Sequence, residues 1–299
     1  MKILSFGSMN IDNTYSVDEF VQPGETMTAK NLSKFCGGKG LNQSIALASA
    51  GADVAHFGCV GEDGDILLDM LKSRGVNTDS VIKIDNITSG HAIIQVDSHG
   101  QNSILLYPGA NRRMTPELID RELEKYSCGD WLLIQNETNC LEYIMRAANK
   151  KGMKIAFNPS PMDGTVSTLP LELVDFFLVN EIEGAAVTGK EITEEITAEF
   201  EKLFPNAAVI LTLGKKGSIF KSEKDMLFQP SYCGTVKDTT GAGDTYTGFF
   251  IANYIKGVSP QECMRIAAMA STVQISRDGA AIAIPKKQEV LNALKNHCR

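Results

Sequence analysis

Residues 131–157 read WLLIQNETNCLEYIMRAANKKGMKIAF, and the order of elements in this stretch decides the fold. Residues 131–134 are a short apolar run of strand length. Residues 141–151 carry apolar side chains at helical spacing and end at Gly152, and residues 154–157 form a second short apolar run. Strand, helix, strand in that order is a parallel crossover unit. The alternation continues on both sides. Toward the carboxyl end, 176–179 reads as a strand, 182–188 as a helix and 209–213 as a strand. Toward the amino end, 2–7 and 54–58 read as strands, and 40–50 and 65–74 as helices. The helix at 65–74 is expected to turn Ile66, Leu67, Met70 and Leu71 inward. Residues 241–256, 260–277 and 285–297 close the chain as helices. Repeated βα units predict an α/β fold, with a mostly parallel central sheet covered by helices on both faces.

Two segments break the rhythm. Residues 12–35 have no helical period and carry Pro23-Gly24. Residues 89–107 hold two alternating runs, 91–96 and 103–107, around the turn-rich Asp97-Ser98-His99-Gly100, which is a hairpin signal. Together they predict a small antiparallel sheet budding from the main domain; two irregular surface excursions are the alternative. Over the strand ends such a sheet would act as a lid that excludes water. The expected division is 1–11, 36–88 and 108–299 for the α/β domain, and 12–35 with 89–107 for the β lid.

The net charge of −7 argues against a nucleic-acid partner, which needs a basic surface. No run of about 18 apolar residues is present to span a membrane, and the first residues lack the pattern of a signal peptide. The seven cysteines (Cys36, Cys59, Cys128, Cys140, Cys233, Cys263 and Cys298) are odd in number and without CxxC spacing. Neither a disulfide framework nor a structural zinc site is expected, and the location is expected to be cytoplasmic. His56 in its strand reads as a core imidazole rather than a metal ligand.

The stretch richest in chemistry is Asp238-Thr239-Thr240-Gly241-Ala242-Gly243-Asp244-Thr245, which opens a helix. Its glycines let backbone N–H groups approach an anion, and the helix presents its positive end there. Such a site suits a phosphate whose charge builds during transfer. Asp244 would sit at the helix amino end, where it is suited to accept the proton of an attacking hydroxyl. A glycine loop with an ordinary N-cap aspartate is the alternative. Tyr246 stands where a dinucleotide fingerprint needs its third glycine, and no GxxxxGK[ST] loop occurs. A second glycine stretch, Cys36-Gly37-Gly38-Lys39-Gly40-Leu41-Asn42-Gln43, opens another helix, and Asn10 and Asp12 follow the first strand. Ligands of open α/β sheets bind beyond strand carboxyl ends. An ordinary turn remains the alternative reading of Asn10 and Asp12.

The two glycine stretches, together with Pro23-Gly24-Glu25-Thr26, Pro108-Gly109-Ala110-Asn111, Asn158-Pro159, Asn180-Glu181-Ile182-Glu183 and Thr212-Leu213-Gly214, resemble the PfkB family of carbohydrate kinases, and within it the ribokinase group. The resemblance spans nearly the whole chain. It implies a ribokinase-like three-layer sandwich with a small β lid, and ATP-dependent phosphorylation of a primary hydroxyl of a pentose, ribose first. Deoxyribose, another furanose or a nucleoside (pseudouridine, adenosine) remain as alternatives within the class. A sugar-binding sensor without catalysis is a further one.

Residue by residue, the resemblance implies that Asn10, Asp12, Gly38, Lys39, Gly40, Leu41, Asn42 and Glu137 hold sugar hydroxyls. Asp244 would be the base, with the amides of Gly241, Ala242 and Gly243 as an anion hole. Asn180, Thr212, Gly214, Gly217 and Gly243 would contact the nucleotide. Asn180 and Glu183 would organise Mg²⁺ through water. Asp238, Thr240, Gln274, Arg277 and Gly279 would hold an activating K⁺, the last three through backbone carbonyls. The lid would pair in a homodimer. The chain departs from the family pattern at Phe249, Ala268 and Ala283, and at Asn136, which is expected to adjoin the substrate.

Overall fold

The computed structural model describes residues 1–297; Cys298 lies outside the described residues. The strands are β1 (Ile3–Phe6), β2 (Asn10–Ser16), β3 (Asn31–Gly37), β4 (Val54–Val60), β5 (Val81–Lys83), β6 (Gly90–Val96), β7 (Asn102–Tyr107), β8 (Trp131–Gln135), β9 (Lys154–Asn158), β10 (Phe176–Asn180), β11 (Ala208–Thr212), β12 (Ser218–Lys221) and β13 (Met226–Gln229). The α-helices are α1 (Lys39–Ser49), α2 (Asp65–Ser73), α3 (Pro116–Leu123), α4 (Leu141–Lys150), α5 (Glu181–Thr188), α6 (Thr193–Leu203), α7 (Ala242–Tyr254), α8 (Pro260–Gln274) and α9 (Lys287–His297).

The larger sheet has nine strands in the order β13-β12-β11-β10-β9-β8-β1-β4-β5. From β11 to β5 the neighbours run parallel; β12 and β13 extend one edge antiparallel. Strands covered on both faces must be apolar on both. In β8, Trp131 and Leu133 face one core, and Leu132 and Ile134 face the other. The first core is closed by α1, α2, α7, α8 and α9, the second by α3, α4 and α6. The result is a three-layer α/β/α sandwich.

Helix packing fixes details that periodicity leaves open. Leu67 and Leu71, one turn apart in α2, are fully buried, whereas Ile66 is 45% exposed, contrary to its expected inward position. A residue next to the buried stripe is rotated about 100° away from it. α1 and α7 touch so closely that a Cβ on Gly248 would lie 2.3 Å from that of Ala46. Phe249, the residue after it, is fully buried in the first core. Fully burying a phenylalanine stabilises the fold by about 1.5–3 kcal/mol. α8 ends at Gln274 rather than at Arg277, which leaves the following residues to form a loop. The start of α3 is capped by the Thr115 side chain, which accepts from Leu118 N, with Pro116 in the first turn.

The smaller sheet has four strands in the order β3-β2-β6-β7. β2 pairs antiparallel with β3 and parallel with β6, and β6 pairs antiparallel with β7. The turn between β6 and β7 is closed by Asp97, whose N–H donates to the Gln101 carbonyl and whose carboxylate accepts from His99 N and Gln101 N. No helix among the described residues is long and apolar enough to cross a membrane.

Candidate active site

β1, β8, β9, β10 and β11 end along the same edge of the larger sheet, and each leads into a polar residue: Ser8, Asn136, Asn158, Asn180 and Thr212 respectively. In parallel sheets the loops beyond these ends form the ligand crevice. The amino ends of α1, α5 and α7 reach the same place, carrying Lys39, Glu183 and Asp244.

One wall holds Asn10, Asp12 and Glu137. The Glu137 carboxylate accepts the Lys39 N–H at 2.9 Å and the Ser8 hydroxyl, so it sits on the positive end of α1. Burial pushes its pKa up, further than the hydrogen bonds and the Lys39 charge draw it down. Asp12 is raised to about 7, by burial first and by the Glu137 charge second. The register explains the burial. Asp12 lies beside Phe35 and Ala92 on neighbouring strands, and Ala92 beside Leu106. Gly37 leaves this carboxylate its place, since a Cβ there would meet Asp12 Oδ2 at 2.1 Å and make it shift. Asn10 Oδ1 accepts from Asn111 Nδ2 at 2.8 Å, and Asn111 is itself tied to both backbone groups of Met9.

Asp244 lies in the first turn of α7, whose N-cap Gly241 takes a left-handed conformation with φ 76°. Its side chain is buried, with Oδ1 accepting from Gln43 Nε2 at 2.9 Å and Oδ2 from Asn42 Nδ2 at 3.0 Å. Asn42 Oδ1 is buried without a partner, leaving an acceptor for a ligand hydroxyl. Lys39 stands among Asp244, Glu137 and Glu183. Burial alone would lower its pKa, but the three carboxylates outweigh burial and raise it, which keeps the ammonium charged. The Ala242 N–H is engaged by Thr239 O at 3.2 Å; the N–H groups of Gly241 and Gly243 meet no backbone acceptor among the described residues. A Cβ on Gly243 would enter open space.

Asp244 opens into a cavity of about 230 Å³, lined also by Lys39, Asn180, Glu183, Thr212, Gly241, Ala242 and Gly243. Asn180 caps α5: its Oδ1 accepts from Glu183 N at 2.8 Å, and Glu183 Oε2 accepts from Asn180 N at 3.0 Å. Gly214 and Gly217 take positive φ in the turn after β11, just beyond that lining. No cluster of three His, Cys, Asp or Glu side chains able to hold a metal occurs among the described residues. Two buried carboxylates, Asp244 and Glu183, beside a cavity suit Mg²⁺ carried in by phosphates and keeping its waters.

Behind this wall, the Asp238 carboxylate accepts from Thr240 N at 2.9 Å and Gly279 N at 3.0 Å. Burial would raise its pKa, but these hydrogen bonds prevail and lower it. The side-chain amide of Gln274 reaches the carbonyls of Thr240, at 2.5 Å, and Gly279, while its buried Oε1 has no partner. The Gln274 amide nitrogen thus occupies both carbonyls, and two backbone N–H groups occupy the Asp238 carboxylate. The backbone carbonyl of Gln274 instead accepts from Arg277 N, and the Arg277 guanidinium pairs with Glu289.

The remaining sequence-predicted residues fall as follows. Gly38, with φ 94°, precedes α1, and Gly40 packs back to back with Gly7. Leu41 is fully buried in the first core and its N–H donates to Ser8 O, so it packs rather than faces the crevice. Asn136 turns away from the crevice to donate to Pro161 O and Asp163. His56 is a buried imidazole against Ser44. Ser8, Gln43, Asn111, Gln135 and Asn158 were given no site role by sequence reasoning, yet each holds a site residue or its neighbour. The signal available for Gln43 was its place one residue after Asn42 in the helix-opening glycine stretch.

Three comparisons bear on this geometry. The profile described as "pfkB family carbohydrate kinase" matches residues 1–287. The chain is 33% identical to the ribokinase of Haemophilus influenzae over 97% of each chain, and 30% identical to the deoxyribokinase of Salmonella typhi, also over 97% of each. A structure of Arabidopsis thaliana ribokinase complexed with ribose and ATP superposes with a TM-score of 0.85 at 29% identity, covering 98% of both chains.

Proposed function

This chain belongs to the pfkB family of carbohydrate kinases, and from that premise we propose that it transfers the γ-phosphoryl group of ATP to a primary hydroxyl of a pentose, ribose first, giving ribose 5-phosphate. The observation that carries this reading is the buried Asp244 carboxylate at the amino end of α7, opening into a cavity together with Lys39 and Glu183. The sugar sits between Asn10, Asp12, Asn42 and Glu137, its hydroxyls donating to the carboxylates and to Asn42 Oδ1. Asp244 accepts the proton of the attacking hydroxyl. The free N–H groups of Gly241 and Gly243 and the Lys39 ammonium receive the charge that builds on the transferred group.

Glu183 and Asn180 would order the waters of Mg²⁺ brought in with the phosphates, which would supply charge neutralisation. Asp238, Thr240, Gln274 and Gly279 would hold K⁺, whose charge would steady the loop that precedes α7. Rates higher in K⁺ than in tetramethylammonium support the K⁺ site; equal rates refute it. The four-stranded sheet covers the sugar as a lid and pairs in a homodimer. The support is the apolar surface on one of its faces: Leu105 is 67% exposed, and Ile93, opposite it on β6, and Tyr107 are exposed on the same face. Contiguous apolar patches of this kind mark interaction surfaces. Use of ATP as donor supports a cytoplasmic location.

A panel of ribose, deoxyribose, fructose, adenosine and pseudouridine with ATP and Mg²⁺ tests the substrate. Ribose is expected to give the highest kcat/KM. Equal or better turnover of another member would move the assignment within the family. Absence of turnover with all of them would favour the sugar-binding sensor.

A further inference from the structure

The mechanism above leaves unused a chain of buried amides behind Asp244. Gln43 is fully buried. Its Nε2 donates to Asp244 Oδ1 at 2.9 Å and lies 3.2 Å from Asn158 Oδ1. Its Oε1 accepts from Gln135 Nε2 at 2.7 Å. Asn158 in turn donates through Nδ2 to Leu178 O at 2.8 Å and to Glu183 Oε2 at 3.3 Å. The direction of every bond follows from one fact: an ionised carboxylate only accepts. Asp244 therefore requires nitrogen from Gln43, which turns the Gln43 oxygen to Gln135 and demands nitrogen there too. The Gln135 oxygen is left buried without a partner, pressed against Gly7, where a Cβ would come within 2.2 Å of it. An orphaned buried oxygen is destabilising. That this chain tolerates one at the far end of the line fits a line set by the needs of Asp244.

We propose that Gln43 is a positioning residue for phosphoryl transfer. Locked from behind by Gln135 and Asn158, its carboxamide fixes Asp244 Oδ1, so that Oδ2, on the Asn42 side, faces the acceptor hydroxyl. Through Asn158 the same carboxamide holds the base in register with Glu183, and hence with the phosphate side of the cavity. The inference rests on the kinase reading. Gln43 touches neither sugar nor nucleotide, so its loss affects the chemical step and not sugar binding.

The test is steady-state kinetics on Gln43→Met, which keeps the length and removes every polar bond, with and without Asp244→Asn. In the wild-type background kcat is expected to fall about 10–100-fold, the range for misplacing a reacting group by around an ångström, with the sugar KM within about threefold. In the Asp244→Asn background the same change is expected to alter the residual kcat less than about twofold, because residues acting as one unit are not additive. Gln43→Glu, of wild-type shape, supplies a second readout should Gln43→Met not fold. Its carboxylic acid donates to Asp244 when protonated and repels it when ionised, so its kcat relative to wild type is expected to rise as pH falls. Equal losses in both backgrounds, a wild-type kcat for Gln43→Met, or a pH-independent kcat ratio for Gln43→Glu would each overturn the proposal. A wild-type protein inactive on every sugar would instead overturn the kinase reading itself.

Discussion

Around Asp244 the polar side chains are buried and bonded to one another: Asn42, Gln43, Gln135, Asn158 and Glu183 each hold a neighbour in place. The four-stranded sheet presents the reverse. β7 is exposed at every position from Asn102 to Tyr107, including Ile104, Leu105 and Leu106. The first region is completed by its own chain; the second carries apolar surface on an edge strand, which calls for a partner. Charge must be positioned before a reaction begins, so its supports are internal and stiff. The two regions meet at Asp12, which belongs to a strand of the small sheet and feels the charge of Glu137 on the same wall.

Substitutions can break this contrast at different points. Apart from loss of the base itself, the largest change is expected for Lys39→Ala, which leaves Asp244, Glu137 and Glu183 without their shared cation: turnover should drop about 10²–10³-fold, as when a transition-state donor is removed. A drop below tenfold would mean that the crevice does not depend on that charge. Next is the seam between the regions. With Asp12 near 7, sugar binding that needs its ionised form should weaken about tenfold in KM between pH 8 and pH 6, because protonation on the acid side removes the acceptor. Asp12→Asn should flatten that dependence; an unchanged slope would assign it elsewhere.

Smaller effects are expected farther from the chemistry. Leu105→Asp should convert dimer to monomer in sedimentation, raise the sugar KM a few-fold and leave kcat within about threefold; a dimer that persists would remove the exposed face from the interface. The smallest functional change should come from α2. Leu67→Ala is expected to lower stability by about 2–5 kcal/mol with turnover intact, and Ile66→Ser by less than about 0.5 kcal/mol, both readable by denaturant unfolding.

Sequence periodicity made the parallel sheet and most of its helices legible because buried parallel strands are apolar throughout and helices carry a stripe. Ile66 misled because an apolar residue beside a stripe is indistinguishable from one within it until the neighbouring layer is known. The glycine stretches announced close approaches at Gly37, Gly38 and Gly241, where positive φ or a facing carboxylate leaves no room for a side chain. What stayed hidden were the supports. Gln43, Gln135 and Asn158 come from α1, β8 and β9, and nothing local says that three amides so far apart share one line of hydrogen bonds. Leu41 and Asn136 lie inside or beside motifs, yet their side chains turn to the core and to the loop carrying Pro161 and Asp163. A motif fixes the backbone path, and tertiary packing decides which side chains line the crevice.

The most direct test is Asp244→Asn, with turnover and calorimetric sugar binding measured on the same preparation. General-base catalysis by this carboxylate requires kcat to fall about 10²–10⁴-fold while the sugar dissociation constant stays within about threefold. A kcat within threefold of wild type would remove Asp244 from the proton transfer and, with it, the reason for the buried amides that hold it.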